Sequence, residues 1–239
     1  MENIRLDKFL SNAGAGSRKE VRELIRMRAV KVDGVAATDG AAKIIAGINS
    51  VSVFESEIEY KKFIYLMMNK PAGVVTATRD PSQKNKTVCD LLPEKYSRRG
   101  LFPVGRLDKD AEGLLILTDD GDFAHKTLSP KFKVEKKYFV KVEGTLTQSD
   151  VASFGRLTLG DGFECAPALL EIISGGETSE AHVTITEGKF HQVKRMFEAA
   201  GKSVTYLKRI RFANIDLDRS LAGGECRELT KEEMKNAGA

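Results

Sequence analysis

The sequence predicts an α+β protein of two parts: a small N-terminal module of helices and a hairpin, and a larger domain built on a mixed, mainly antiparallel sheet. Two helical patterns and a hairpin signal come first, and beyond residue 62 the strand-like segments outnumber the helical ones. The 239 residues suffice for one large domain or for two of ordinary size. A change in residue pattern near residues 55–62 favours two domains, over residues 1–55 and 62–239.

The first module begins with a short helical pattern, in which apolar residues at positions 6, 9 and 10 share a face ahead of two glycines. A second helix is predicted to begin at Arg18, because Ser17 and Glu20 have the spacing of a capping box. This helix has an apolar stripe and a separate basic face, formed by Val21, Leu24 and Ile25 and by Arg18, Arg22 and Arg26. The segment V-K-V-D-G-V at residues 30–35 then predicts a hairpin with an Asp-Gly turn.

The second domain opens with a buried-strand pattern at residues 63–69, and residues 114–117 predict another buried strand. Between them, residues 78–99 are rich in Lys, Arg, Asp and Pro and predict an exposed loop with a short helix. Further strands are predicted over residues 138–142, 168–173 and 182–185. Val193, Met196, Phe197 and Ala200 lie at helical spacing and predict a helix that ends at Gly201.

Composition excludes several classes of protein. Charged residues make up 30% and hydrophobic residues 41%, which is typical of a soluble globular protein. No apolar run approaches the roughly 20 residues of a membrane helix, and charges interrupt the first seven residues, where a secretory signal is apolar. We therefore expect a cytoplasmic protein without a membrane partner. The three cysteines and three histidines lack metal-ligand spacing, so we predict no metal.

Positive charge is unevenly distributed along the chain. The formal net charge is only +4, but residues 1–31, 61–109 and 189–211 carry +4, +7 and +6, which leaves −13 on the rest. Such polarity is typical of a protein that binds phosphate backbones with one face. Solvated helix faces would give the same pattern, and charge alone does not separate the two interpretations.

Asp108 is the strongest candidate for a reactive group. It lies in the segment G-R-L-D-K-D-A-E-G at residues 105–113, a loop that leads directly into a predicted buried strand, and such loops often carry functional side chains. Arg106 and Lys109 lie beside it in sequence and favour its ionised form, which is a usable nucleophile or base. For G-R-L-D taken alone, a turn aspartate paired with a neighbouring arginine is the commoner explanation.

Two further segments supply candidate site residues. In the predicted helix after residue 191, Lys194 lies at the border of the apolar stripe, where it can reach a carboxylate beside the core. Arg195 points away from the stripe and, with Lys189, is better placed for RNA phosphate. Tyr138 opens a predicted strand, where core packing and stacking on a nucleobase both fit the pattern. For Lys189, Lys194 and Arg195, the alternative interpretation is that their side chains are simply exposed to solvent.

About the first fifty residues resemble the alpha-L RNA-binding fold of a small-subunit ribosomal protein. The matching stretches are R-L-D-K-F-L at residues 5–10, G-S-R at 16–18 and V-K-V-D-G at 30–34. The resemblance implies an RNA-binding module. We expect it to contact RNA through Arg5, Lys8, Ser17, Arg18, Arg22 and Arg26. The match departs at Arg28, where such modules usually have glycine, so we expect a different turn there.

Nearly the whole chain resembles the pseudouridine synthases, in particular the branch that modifies ribosomal RNA and carries an N-terminal alpha-L domain. Four motifs occur in the family's order: residues 69–76 (N-K-P-A-G-V-V-T), residues 105–121 from G-R-L-D to T-D-D-G, residues 135–138 (E-K-K-Y) and residues 187–196 (E-G-K-F-H-Q-V-K-R-M). The F-H-Q-V stretch at residues 190–193 and the segment 120–130 look more like the small-subunit enzymes than their large-subunit relatives.

The resemblance implies isomerisation of a uridine to pseudouridine, with Asp108 as the catalytic aspartate and without a metal or organic cofactor. It also implies that Arg106 fills the space of an extruded uridine, that Tyr138 stacks on the base and that Lys194 pairs with Asp108, where many relatives have arginine. Attack on the sugar, addition to the base and formation of a glycal are open routes, of which we favour the glycal. In this domain we expect RNA contacts from Lys70, Lys189, His191, Gln192 and Arg195.

We expect the substrate to be ribosomal RNA or a small-subunit assembly intermediate, and the protein to be a monomer. Two other hypotheses stay open at this point: a large-subunit enzyme of the same family, and a non-catalytic RNA-binding or ribosome-assembly factor. The complete set of Asp108, Tyr138 and Lys194 argues against the non-catalytic factor. A further departure from the family is Ala213, where relatives commonly have glycine, and a different local turn is expected there.

Overall fold

The computed structural model describes residues 3–238 and has two compact units. One unit comprises residues 3–64 together with Leu92–Leu101, and the other comprises Tyr65–Leu91 together with residues 102–238. The α+β class is confirmed. The division differs from the predicted one, which assigned residues 92–101 to the second domain. The reason lies in Arg99, whose guanidinium donates hydrogen bonds to the carbonyl oxygens of Asn12 at 3.0 Å and of Lys61 and Lys62, both at 2.8 Å.

The first unit has eight strands and helices up to residue 57 and one helix in the segment 92–101. In chain order they are β1 (Asn3–Arg5), α1 (Leu6–Asn12), α2 (Arg18–Arg26), β2 (Val30–Val32), β3 (Val35–Ala36), β4 (Lys43–Ile45), β5 (Val51–Val53), β6 (Ser56–Glu57) and α3 (Glu94–Ser97). Strand β1 pairs with β4, and the order β3-β2-β5-β6 forms a small antiparallel sheet. Apolar side chains from α1, α2 and four of the strands form a single core.

Helix α2 begins where the capping box predicts. The Ser17 hydroxyl accepts a hydrogen bond from the Glu20 amide at 3.2 Å, and the Glu20 carboxylate accepts one from the Ser17 amide at 2.6 Å. Val21 and Ile25 are buried, whereas the basic face of the helix is exposed. The reciprocal cap therefore orients a helix whose apolar stripe meets the core and whose arginines face solvent.

Two tight turns follow this helix. Asp33 and Gly34 have φ values of 50° and 80°, as the predicted Asp-Gly hairpin turn between β2 and β3 requires. Arg28 also has a positive φ, of 59°. The chain thus forms a turn with a positive φ at Arg28, a conformation that glycine adopts most readily. An L side chain in this region costs roughly 1 kcal/mol.

The second unit is built on one large sheet. Its elements are β7 (Tyr65–Lys70), β8 (Phe102–Pro103), β9 (Glu112–Thr118), α4 (Gly121–Leu128), β10 (Lys136–Glu143), α5 (Gln148–Ser153), β11 (Leu169–Ser174), β12 (Thr178–Ile185), α6 (Gln192–Ala199), β13 (Val204–Phe212), β14 (Ile215–Asp216), β15 (Cys226–Glu228) and α7 (Lys231–Ala237). The strand order is β11-β12-β10-β13-β9-β7-β15, with β14 paired to β13 and β8 to β9. Each strand predicted from the sequence is present.

Gly113 lies where the two halves of this sheet meet. Strands β13 and β9 are parallel, whereas the other pairings are antiparallel, and the junction consists of Lys208 opposite Glu112 and Arg209 opposite Gly113. A Cβ atom added to Gly113 would lie 2.2 Å from the Arg209 carbonyl oxygen, and the φ of Gly113 is 102°. The close approach of the strands therefore requires glycine at the position where the Asp108 loop enters the sheet.

The helix predicted at residues 193–200 is present as α6 and is buried through its apolar stripe. Val193, Met196 and Phe197 of α6 are buried, and the Phe197 ring lies 4.8 Å from the ring of Phe154. The helix ends before Gly201, which has a φ of 72°. The apolar stripe thus fixes the rotation of α6 and, with it, the direction of the basic residues on its exposed side.

Candidate active site

The loop that carries Asp108 connects β8 to β9 and is fixed at several backbone positions. The Thr76 hydroxyl donates a hydrogen bond to the Leu107 carbonyl at 2.7 Å and accepts one from the Leu107 amide at 3.2 Å. The amide of Ala111 donates to the carbonyl of Asp108 at 3.2 Å, and that of Gly73 donates to the carbonyl of Lys109 at 2.7 Å. Asp108 therefore lies on a braced turn, with 23% of its side chain exposed.

Lys70 is buried beneath this loop. Its side-chain amine donates hydrogen bonds to the carbonyl oxygens of Ala111 at 2.8 Å, Pro71 at 3.0 Å and Lys109 at 3.3 Å, and the residue has no accessible surface. Burial lowers the pKa of Lys70 to about 8, an effect that nearby carboxylates partly oppose. The RNA contact predicted for Lys70 is therefore wrong, because its amine is sealed from solvent and committed to backbone oxygens.

Two basic side chains from the start of α6 approach Asp108. The Lys194 amine lies 3.8 Å from Asp108 Oδ2, and His191 Nε2 lies 3.5 Å from Asp108 Oδ1. Lys194 makes shorter contacts with Asp110, at 2.7 and 2.6 Å, and this hydrogen bond is the main reason that the pKa of Asp110 is lowered. Lys194 thus lies between two carboxylates, and its hydrogen bonds go to Asp110. Lys109, expected to support Asp108, instead donates to the Asn85 side chain at 2.8 Å.

Arg106 and Tyr138 occupy different environments. Arg106 is exposed on the same loop as Asp108. Tyr138 lies on β10, where its ring is buried on the face that also buries Val140. A bulge between residues 137 and 138 brings Tyr138 opposite Arg209 of β13. Arg209 in turn pairs with Gly113 at the start of β9, just after the Asp108 loop, so Tyr138 lies two strands from the end of that loop.

Three other residues of the second unit were predicted to contact RNA, and they differ in how accessible they are. Lys189 is exposed, with its amine 5.0 Å from the centre of the Phe163 ring, and Arg195 forms an ion pair with Asp161 at 2.6 Å. Gln192 is only 4% exposed. Its amide donates to the Glu187 carboxylate and accepts from the Lys189 backbone, both at 2.9 Å. The RNA contact predicted for Gln192 is wrong, because its polar atoms hold the loop before α6.

The predicted RNA-contact residues of the first unit are mostly accessible. Lys8, Arg18 and Arg22 are exposed. Three others have a partner within this unit: Arg5 forms a two-point contact with Asp7, Arg26 pairs with Glu23, and the Ser17 hydroxyl caps α2.

Sequence reasoning missed several residues that shape this site. Asp110, Thr76 and the structural role of Lys70 lie within the motifs that it identified, but nothing in the spacing separated them from their neighbours. In residues 3–238, no group of three or more His, Cys, Asp or Glu side chains has metal-binding geometry. Within the same residues, no helix combines the length and the apolar character needed to cross a membrane.

Comparison with known proteins identifies the family to which these features belong. Residues 64–199 match the model of the RNA pseudouridylate synthase family, and residues 4–44 match that of the S4 domain. The chain therefore belongs to the RNA pseudouridylate synthase family and carries an N-terminal S4 domain. It is an RNA pseudouridine synthase, and the resemblance identified from its motifs is confirmed.

Relatives extend along the full chain. It is 45% identical to an uncharacterized RNA pseudouridine synthase of Bacillus subtilis, with 97% of both chains covered. The ribosomal small subunit pseudouridine synthase A of Vibrio cholerae is 42% identical over 97% of this chain and 98% of its own, and the large subunit pseudouridine synthase B of B. subtilis is 38% identical over 97% and 94%. A solved structure of pseudouridylate synthase matches with a TM-score of 0.67 at 33% identity, covering 98% and 99%.

Proposed function

We propose that this enzyme isomerises a specific uridine of small-subunit ribosomal RNA and that Asp108 is its catalytic carboxylate. The reaction breaks the glycosidic bond at N1 and joins C5 of the same uracil to the sugar. The C5 hydrogen is lost as a proton and N1 gains one, so atoms and electrons balance without a redox partner. Ribosomal RNA as the substrate class is supported by the names of the small-subunit and large-subunit relatives.

The observation that carries the role of Asp108 is its environment. The carboxylate is three-quarters shielded, has two basic side chains within 4 Å and lies on a loop braced by Thr76 and Lys70. A carboxylate held in one position beside a cation is oriented for reaction at the ribose. Lys194 supplies that charge, and Asp110 holds the Lys194 amine at 2.6–2.7 Å.

A uridine in structured RNA must leave its stack before a carboxylate reaches its sugar, at a cost of a few kcal/mol. Arg106 is exposed two residues before Asp108, which suits insertion into the vacated space. Tyr138 offers a buried ring for the extruded base. Leu107, which lies between Arg106 and Asp108, and Val74 are also buried, and we propose that they line an apolar pocket that retains the detached uracil.

Release of tritium from small-subunit ribosomal RNA labelled at uracil C5 tests the proposed reaction. We expect the native enzyme to release tritium and Asp108→Asn to release none. Asp110→Asn is the matched control, because this carboxylate is 73% exposed, lies two residues away and contacts the same lysine. We expect Asp110→Asn to retain measurable turnover. Equal release by the native enzyme and Asp108→Asn would refute the role of Asp108.

The choice of the small subunit is supported by the F-H-Q-V stretch at residues 190–193 and by the segment 120–130, which resemble the small-subunit enzymes. The large-subunit enzyme remains the second candidate, because the B. subtilis relative that acts on the large subunit is 38% identical along the chain. Labelled transcripts of the two ribosomal RNAs, assayed in parallel, separate the candidates. Tritium release confined to the large-subunit transcript would overturn the choice.

The exposed basic face of α2 is proposed to bind RNA phosphates. Each phosphate contact that is lost reduces the slope of log K against log salt by about 0.7–0.9. We therefore expect Arg18→Gln with Arg22→Gln to weaken binding and to reduce this slope by about 1.5. Lys43→Gln, an exposed lysine on β4, is the control. These substitutions are preferable to removal of residues 1–55, because Arg99 depends on carbonyl groups in that unit.

A further inference from the structure

Phe190 is displayed to solvent beside the catalytic carboxylate. It is the most accessible large hydrophobic side chain in residues 3–238, with 76% of its surface exposed. Single exposed hydrophobic side chains are common on protein surfaces, so the exposure of Phe190 gains its meaning from its neighbours. Here the ring adjoins His191, one of the two basic residues within 4 Å of Asp108.

The Phe190 and His191 rings form a stack. Their centres are 3.8 Å apart and their planes differ by 18°. His191 has a φ of 49°, in the left-handed region, and this conformation immediately precedes the first turn of α6. Outside glycine such a conformation is costly and persists where surrounding contacts impose it. The His191 ring therefore lies between the exposed Phe190 ring, on which it stacks, and the Asp108 carboxylate.

The loop that carries the stack is held in place. Buried Gln192 bonds the Lys189 amide and the Glu187 carboxylate, and the same carboxylate accepts a hydrogen bond from the Ala166 amide at 3.0 Å. On the other side, Arg195 donates to the Phe190 carbonyl at 3.5 Å. The ring is exposed on a fixed backbone, so a planar ligand meets a surface that is already oriented.

We propose that Phe190 and His191 form a stacking platform for a nucleobase next to the target uridine. The inference rests on the proposed function, because it places RNA at Asp108. The free face of Phe190 takes the flat surface of an unpaired base, while His191 keeps the platform in line with the carboxylate. The platform holds the strand on one side of the extruded uridine and thereby contributes to the affinity for RNA.

Charge around the platform favours RNA over an apolar partner. Residues 189–211 carry seven lysines and arginines and one acid. Lys189, immediately before Phe190, is exposed and its amine lies over the Phe163 ring at 5.0 Å. Aromatic rings interleaved with cations are the combination by which proteins hold single-stranded nucleic acid, because the rings stack on bases and the cations meet phosphates.

The chain has no tryptophan, which permits a direct test. Phe190→Trp in an Asp108→Asn background introduces a single indole at the platform without turnover during the titration. We expect addition of small-subunit ribosomal RNA transcript to quench the emission and shift its wavelength. Phe132→Trp, at another exposed ring of the same unit, is the control and should respond little. If RNA binds but the emission of Trp at position 190 does not change, or if the emission changes equally at positions 190 and 132, the proposed platform is refuted.

Steady-state kinetics provide the second test. Stacking of one base corresponds to a factor of about 5–150 in affinity, so Phe190→Leu should raise KM by a factor in this range, with the loss in KM rather than kcat. Phe190→Tyr keeps the ring and should restore a KM close to that of the native enzyme. An unchanged KM for Phe190→Leu, or an equal loss for both substitutions, would refute stacking.

The two tests separate this inference from the function on which it rests. If the native enzyme releases no tritium, the proposed function fails whatever the fluorescence shows. If the native enzyme is active and Asp108→Asn is not, but the emission of the Phe190→Trp variant ignores bound RNA, the function stands and the platform fails.

Discussion

Replacement of Lys70 by methionine removes the buried amine that braces the loop of the proposed catalytic residue Asp108. Methionine has nearly the same length and fills the same space, so the change isolates the ammonium group. Lys109 O keeps the hydrogen bond from the Gly73 amide at 2.7 Å, whereas Pro71 O and Ala111 O lose the donor that Lys70 supplies. We expect the loop to shift and turnover to fall.

The expected change in stability is the balance of two terms. Two buried carbonyl groups that lose a donor cost about 1–3 kcal/mol each. Against this, the folded enzyme no longer holds a buried charge, whose pKa is lowered from 10.5 to about 8, and this saves about 3 kcal/mol at pH 7. The terms nearly cancel, so the free energy of unfolding of Lys70→Met should lie within about 3 kcal/mol of that of the native enzyme.

Activity should change much more than stability. A displacement of a reacting group by about 1 Å costs about 10²-fold in rate, and two of the three carbonyls that Lys70 holds belong to the residues on either side of Asp110. We therefore expect kcat to fall about 10²-fold in the tritium-release assay. Lys109→Met is the control, because this exposed lysine lies on the same loop but its amine contacts the Asn85 side chain.

The difference in the free energy of unfolding between the native enzyme and Lys70→Met should depend on pH. Because the Lys70 amine has a lower pKa in the folded chain than in the unfolded one, the unfolded chain binds more protons between about pH 8 and pH 10.5, and the free energy of unfolding rises with pH in that window. Below pH 8 the amine is charged in the folded chain, which then bears the full free-energy cost of burying that charge. Between pH 7 and pH 9, urea unfolding should show the native enzyme gaining about 1.4 kcal/mol relative to Lys70→Met. A difference that does not change with pH, or an unchanged kcat, would refute the assigned role of Lys70.

Three further substitutions test the site and its scaffold. Gly113→Ala forces a Cβ to within 2.2 Å of the Arg209 carbonyl oxygen at a φ of 102°, so urea unfolding should show a loss of about 3 kcal/mol or more; a loss below about 1 kcal/mol would contradict the close strand pairing. Ala213→Gly relieves a φ of 52° and should raise stability by about 0.5 kcal/mol, whereas a decrease would show that the turn is unstrained. Lys194→Met removes the cation next to Asp108 and should lower kcat at least tenfold, with Lys194→Arg recovering most of it; equal activity of the Met variant and the native enzyme would remove Lys194 from the mechanism.

Local signals predicted much of the fold. The capping box at Ser17 placed the start of α2 at Arg18, and the Asp-Gly pair placed the β2–β3 turn, because both depend on neighbouring residues alone. Periodicity also indicated the buried side of α6, since its apolar stripe is regular. Local pattern did not reveal that residues 92–101 belong to the first unit, because Arg99 reaches carbonyl groups distant in sequence.

Sequence resemblance pointed to residues at the centre of the candidate site but not to those that support it. Motif resemblance identified Asp108 and Lys194, which the structure brings within 3.8 Å. Lys70 and Gln192 were misassigned to RNA because lysine and glutamine are usually exposed, and sequence does not show the rare case in which backbone groups satisfy them in the interior. Phe190 was not predicted as a site residue of its own, because an aromatic residue before a helix is expected to be buried.

The map of pseudouridines in small-subunit ribosomal RNA tests the central claim most directly. RNA from cells that lack this enzyme should lose one pseudouridine, and the modification should return with the native gene and not with Asp108→Asn. Restoration by Asp108→Asn, or a small-subunit map identical in the presence and absence of the enzyme, would contradict the account.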